Sequence, residues 1–141
     1  MLEKQLYDAI QSGDTATALA LLSQGIQASP SLSITAVENT NLEVIKAIFM
    51  NGHDFNYVDK RGDSALLTAA IYNKVDILLY LINIGVNPKP YKYGFDPLDY
   101  LLFKLDTDST GEIFIAVSAL IDAGSPIELS HKESVQYIKH I

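Results

Sequence analysis

Apolar residues recur along this chain at helical spacing, in short runs separated by polar breaks and closed by glycine. Leu21-Leu22-Ser23-Gln24-Gly25, Ile48-Phe49-Met50-Asn51-Gly52, Leu81-Ile82-Asn83-Ile84-Gly85 and Leu120-Ile121-Asp122-Ala123-Gly124 share one form: two large apolar residues, two further residues, then glycine. A glycine placed there ends a helix, because it takes the left-handed conformation without a Cβ penalty. Four such stops predict four copies of one helical unit. The periodicity places helix pairs at about 3–11 and 15–24, 32–39 and 42–51, 64–72 and 74–83, and 97–105 and 110–122, with a last helix near 131–140. Leu19, Leu22, Ile45, Ile48, Leu78, Leu81, Val117 and Leu120 fall on the core side of the second helices. Ala9, Ala36, Ala69 and Ala70 read as small contacts where first helices pack closely. One helix pair cannot bury its apolar face alone, so the units are expected to stack side by side.

Start signals fit between the stops. Thr40 with Glu43 forms a capping box ahead of Val44-Ile45-Lys46-Ala47-Ile48-Phe49, Ser109 with Glu112 another, and Ser130 with Glu133 a third, before Val135, Ile138 and Ile141. Asp96-Pro97 reads as a cap followed by proline in the first turn. Two longer connections, at about 53–63 and 86–96, hold Gly62 and Gly94, which suit tight turns. Nothing demands a long strand, so the fold class is all-α.

The third unit is the most specific. Asp59-Lys60-Arg61-Gly62-Asp63-Ser64-Ala65-Leu66-Leu67-Thr68-Ala69-Ala70 resembles the opening of an ankyrin repeat, with Ser64 at the Thr, Ala65 at the Pro and Leu67 at the His of its Thr-Pro-Leu-His. Asn73-Lys74-Val75-Asp76-Ile77-Leu78 is similar to the Gly-His-x-Glu-Ile-Val that opens the second helix. The fourth unit keeps Gly94-Phe95-Asp96-Pro97-Leu98, and the first keeps Ala9 and Gly13-Asp14. The resemblance implies a single ankyrin-repeat solenoid over 1–141, with repeats at about 2–30, 31–58, 59–90 and 91–128 and a capping helix at about 130–140. The closing glycines lie 27, 33 and 39 residues apart, and only the middle interval equals the family period. The short first interval predicts a first connection without a projecting hairpin. The long last one places extra residues between the helices of the fourth unit, at 106–112.

Composition narrows the partners. The chain has 141 residues, 48% of them hydrophobic, which suits one domain with its own core. It has no cysteine, which excludes disulfides and thiolate metal sites. A net charge of −7 repels phosphate backbones, so nucleic acid is not expected as a partner, whereas a basic protein would be attracted. Met1-Leu2-Glu3-Lys4-Gln5-Leu6 lacks the basic start and apolar run of a signal peptide, and no 18-residue window is apolar throughout. A cytoplasmic monomer with no membrane contact is expected, with export by a route needing no such signal left open.

Catalytic patterns are missing from the sequence. His53, His131 and His140 stand apart from one another and from clustered carboxylates, and no nucleophile elbow, phosphate loop or dinucleotide fingerprint occurs. No enzyme activity and no cofactor are expected. Asp106-x-Asp108-x-Thr110-Gly111 resembles the first half of an EF-hand calcium loop. The position that should supply its bidentate Glu is Val117, so a polar inter-helix connection is the preferred reading. In ankyrin repeats the hairpin tips and first-helix faces form a concave binding surface. Carried onto this chain, the resemblance implies contact residues Lys60, Arg61, Asp63, Ile71 and Tyr72 in the third unit, and the clustering of aromatic residues along the two long turns adds Tyr57 and Tyr91. In the fourth the resemblance implies Lys92, Tyr93, Phe95, Phe103 and Lys104. Tyrosine and arginine suit such a face because they bury much area while keeping a polar handle. The expected function is to hold a partner protein by occupancy, blocking or bridging it, one form being an inhibitor or immunity-type protein for a basic target. The alternatives are a calcium-responsive regulator through the 106–112 loop and a homodimer paired through the Tyr91–Phe95 finger.

Overall fold

The computed structural model describes residues 2–27, 29–88, 97–105 and 111–124. In chain order these form α1 (Leu2–Ser12), α2 (Thr15–Ser23), α3 (Leu32–Asn39), α4 (Leu42–Met50), α5 (Ala65–Ile71), α6 (Val75–Asn83), α7 (Pro97–Leu105) and α8 (Gly111–Asp122). The helices pair as hairpins and stack in two rows. In the inner row α1 packs on α3, α3 on α5 and α5 on α7, and in the outer row α2, α4, α6 and α8 follow the same order. The architecture is an all-helical repeat solenoid, with helices within a residue or two of the periodicity. The final helix expected at 130–140 lies outside the described residues.

The core runs between the two rows. Leu6, Ile10, Leu32, Ile45, Ile48, Leu66, Ile77, Leu78, Leu81, Leu98, Leu101 and Leu120 are its largest fully buried side chains. Ala9, Ala36, Ala69 and Ala70 are buried where inner helices approach. Leu19 is only half-buried, packed against the edge of the cluster. The closing glycines Gly25, Gly52, Gly85 and Gly124 all take positive φ, between 79° and 102°, as a helix stop requires.

Side-chain oxygens cap the helix starts. Asp14 accepts from the Thr17 amide, Asn41 from the Val44 amide and Ser64 from the Leu67 amide, each at 3.2 Å. The capping box expected of Thr40 and Glu43 does not form. Thr40 Oγ1 instead donates to Ala36 O at 2.6 Å, closing α3, and the cap of α4 falls one residue later, on extended Asn41. Pro97 opens α7, where its missing N–H costs no helix hydrogen bond. Asp96, Ser109, Ser130 and Glu133 lie outside the described residues.

The connection from α4 to α5 folds into a short finger. Val58 and Ser64 form an antiparallel bridge, Asp59 N donates to Asp63 O at 2.9 Å, and Asp59 Oδ1 accepts from the amides of Arg61 and Asp63, both at 2.9 Å. No such bridge occurs among the described residues between α2 and α3.

Candidate binding surface

Two helical stripes face each other across the junction of the third and fourth pairs. Leu67 and Ile71 lie four apart on α5, and Tyr100 and Phe103 three apart on α7, so each couple shares one helix face. Together they line an open groove of about 350 Å³ whose accessible wall is wholly apolar. Leu67 forms its floor at 8% exposure, while Ile71 at 36% and Phe103 at 69% stand out at its sides. Covering large apolar side chains left in water beside such a groove is favourable at about 25 cal/mol per Å². A larger depression, of about 610 Å³ between α6 and α8, mixes Asn83, Asn87 and Asp122 with Ile82 and Val86 and presents no comparable apolar wall.

Tyr72 is half exposed, and its hydroxyl donates to Glu38 Oε1 of the preceding inner helix at 3.1 Å. That bond, and the charge of Glu38, push the Tyr72 phenol above its ordinary pKa, since ionisation would break the bond and set two anions together. On the finger, Lys60 is exposed. Arg61 is exposed too, with Asp63 at 3.4 Å and Asp59 at 3.9 Å, while Tyr57 and Asp63 are half-buried. Ion pairs this exposed add little stability.

Lys104 behaves differently from an open contact residue. Its ammonium donates to Ala70 O at 3.2 Å, Ile71 O at 2.9 Å and Asn73 Oδ1 at 2.7 Å, and lies 4.7 Å from the Tyr100 ring centroid. Lys74 does likewise one unit earlier, donating to Val37 O at 2.6 Å, Thr40 O at 3.0 Å and Glu38 O at 3.1 Å. Burial pulls the Lys74 ammonium below its ordinary pKa, against the opposing pull of Asp76 and Glu38.

Of the residues expected on the binding face, the structure brings Ile71 and Phe103 into one groove with Tyr72 beside it, and carries Tyr57, Lys60, Arg61 and Asp63 on or beside the finger. Tyr91, Lys92, Tyr93 and Phe95 lie outside the described residues, as do Asp106, Asp108 and Thr110 of the calcium-like string. Among the described residues no group of three or more His, Asp or Glu is placed to hold a metal, and no helix is long and apolar enough to cross a membrane. Leu67 and Tyr100, which are not among the family's contact positions carried onto this chain, complete the groove. Their signal is the four-residue step to Ile71 and the three-residue step to Phe103.

A family model for ankyrin repeats, in three copies, matches residues 33–128. No curated protein matches the chain.

Proposed function

We propose, given that this chain belongs to the ankyrin-repeat family of protein–protein interaction modules, that it holds a partner protein against the inner helices α5 and α7. The groove walled by Leu67, Ile71, Tyr100 and Phe103 is the anchor site, and its wholly apolar wall beside an exposed Phe103 is the observation that carries the reading. Buried aromatic anchors dominate interface energetics, and a polar surround excludes water from them. The finger, with Lys60, Arg61 and Asp63, flanks this face and selects among partners. The chain acts by occupancy: it covers or bridges what it binds. A net charge of −7 favours a basic partner, whose approach the field would speed.

The test is paired affinity capture from the native cell. Phe103→Ala and Ile71→Ala baits should lose the proteins that the unaltered chain retains. A Met50→Ala bait should keep them, because Met50, 80% exposed, belongs to the outer helix α4. Equal recovery by all baits overturns the assignment of this face. Light scattering of the purified chain checks the expected monomer.

A further inference from the structure

We infer that Lys104 is a positioning residue, which latches the fourth helix pair to the third and so sets the groove between them, and that Asn73 is the catch of this latch. Asn73 is the one non-glycine residue with positive φ, 56°, among the described residues. Asparagine is one of the few non-glycine residues that take that conformation readily, and unlike glycine it brings a side-chain oxygen. That oxygen, Oδ1, accepts from Lys104 Nζ at 2.7 Å, the shortest of the three hydrogen bonds described above.

The three contacts suit an ammonium. It carries three N–H donors and no acceptor, and among the described residues Ala70 O, Ile71 O and Asn73 Oδ1 receive them. Two of these are carbonyls at the end of α5, that of Ala70 also accepting the Asn73 amide at 3.3 Å, where the helix dipole favours a cation. The acceptors lie 31 to 34 residues before Lys104 in sequence, so the latch joins successive units.

The latch sits at the end of the groove. Ile71 gives it a carbonyl and gives the groove a side chain, while Phe103 is the residue before Lys104 and Tyr100 lies beneath the ammonium. Fixing Lys104 on α5 therefore fixes both walls. Lys74 reaches the end of α3 by the same chemistry from a different place, the start of α6 rather than the end of α7. The purpose assigned to the latch rests on the binding reading above, whereas its existence is tested without a partner.

The experiment is residue-resolved amide exchange and methyl NMR on the full chain. The amides of Tyr72, Asn73 and Lys74 donate to Thr68, Ala70 and Ala69 within the turn that Lys104 holds. In Lys104→Gln they should exchange about tenfold faster, in keeping with the loss of a hydrogen-bonded charge. Amides of α1 and α2 should keep their rates. The δ methyl of Ile71, which lines the groove with Tyr100 and Phe103, should shift in resonance. Lys104→Arg, which keeps the charge but spreads its donors over a planar fork, should fall between. Asn73→Asp should slow the same three amides by strengthening the catch. Faster exchange throughout all helices, or an unmoved Ile71 methyl, overturns the latch. If the latch amides respond while groove variants still capture the same partners, the latch stands and the binding face falls.

Discussion

Ser64 shows how much one buried hydroxyl can specify. It is 1% exposed, its Oγ accepts from the Leu67 amide, and its carbonyl accepts from Thr68 Oγ1 at 2.7 Å. Ser64→Ala removes the cap and leaves the Leu67 amide unsatisfied in the interior, so it should cost about 1 kcal/mol, read as a lower denaturant midpoint with unchanged slope. Ser64→Thr keeps the acceptor and should hold the midpoint. Tyr72 offers a pH test. Its folded pKa lies above the ordinary 10.0, so the protonated phenol is favoured in the folded chain. Any stability from the Tyr72–Glu38 contact is fully present below that ordinary value and is lost as pH rises through the folded pKa. Phenolate absorbance should show a late-titrating component that Tyr72→Phe removes and Glu38→Gln returns toward the ordinary range. Neither this contact nor that of Lys104 is legible locally, because their partners lie 34 and 31 to 34 residues away.

Helices were legible because three local signals agree: apolar spacing, side-chain caps and glycine stops. Where two signals compete, the sequence cannot rank them. Thr40 and Asn41 are adjacent, both are good caps, and Glu43 favours the first by the capping-box pattern. The backbone decides the matter: Asn41 is extended at φ −127° and ψ 177°, while Thr40 still bonds the carbonyl of Ala36. Asn41→Ala should therefore weaken α4 by about 1 kcal/mol, and Glu43→Ala should leave it nearly unchanged. The reverse order in thermal or chemical melts would restore the capping box. Half of the groove was legible for a related reason. Ile71 and Phe103 follow from the family's contact positions, but a groove is a property of two units in register. Leu67 and Tyr100 acquire their role only once α5 lies against α7.

Stacked units make this molecule nearly one-dimensional, since each helix packs within its own pair and against the neighbouring pairs. Stability should then depend on where a cavity is made as well as on its size. Leu78 of α6 and Leu120 of α8 are both buried, at 1% and 0% exposure, and truncation of either to alanine carries a cavity cost of about 2–5 kcal/mol. The consequences should differ. α6 packs against both α4 and α8, so Leu78→Ala weakens two junctions and should lower the midpoint of the whole transition. α8 has α6 and α7 as its neighbours among the described helices, so Leu120→Ala should first loosen α7 and α8 and leave α1 to α4 protected. Amide exchange under mild denaturant distinguishes the two: a sub-global opening confined to the fourth pair in Leu120→Ala, and a shared opening across α4 to α8 in Leu78→Ala. Because the fourth pair supplies Tyr100 and Phe103, Leu120→Ala should also release a captured partner at denaturant levels that leave the first two pairs folded. Retention of the partner under those conditions would place the binding surface on the earlier units instead.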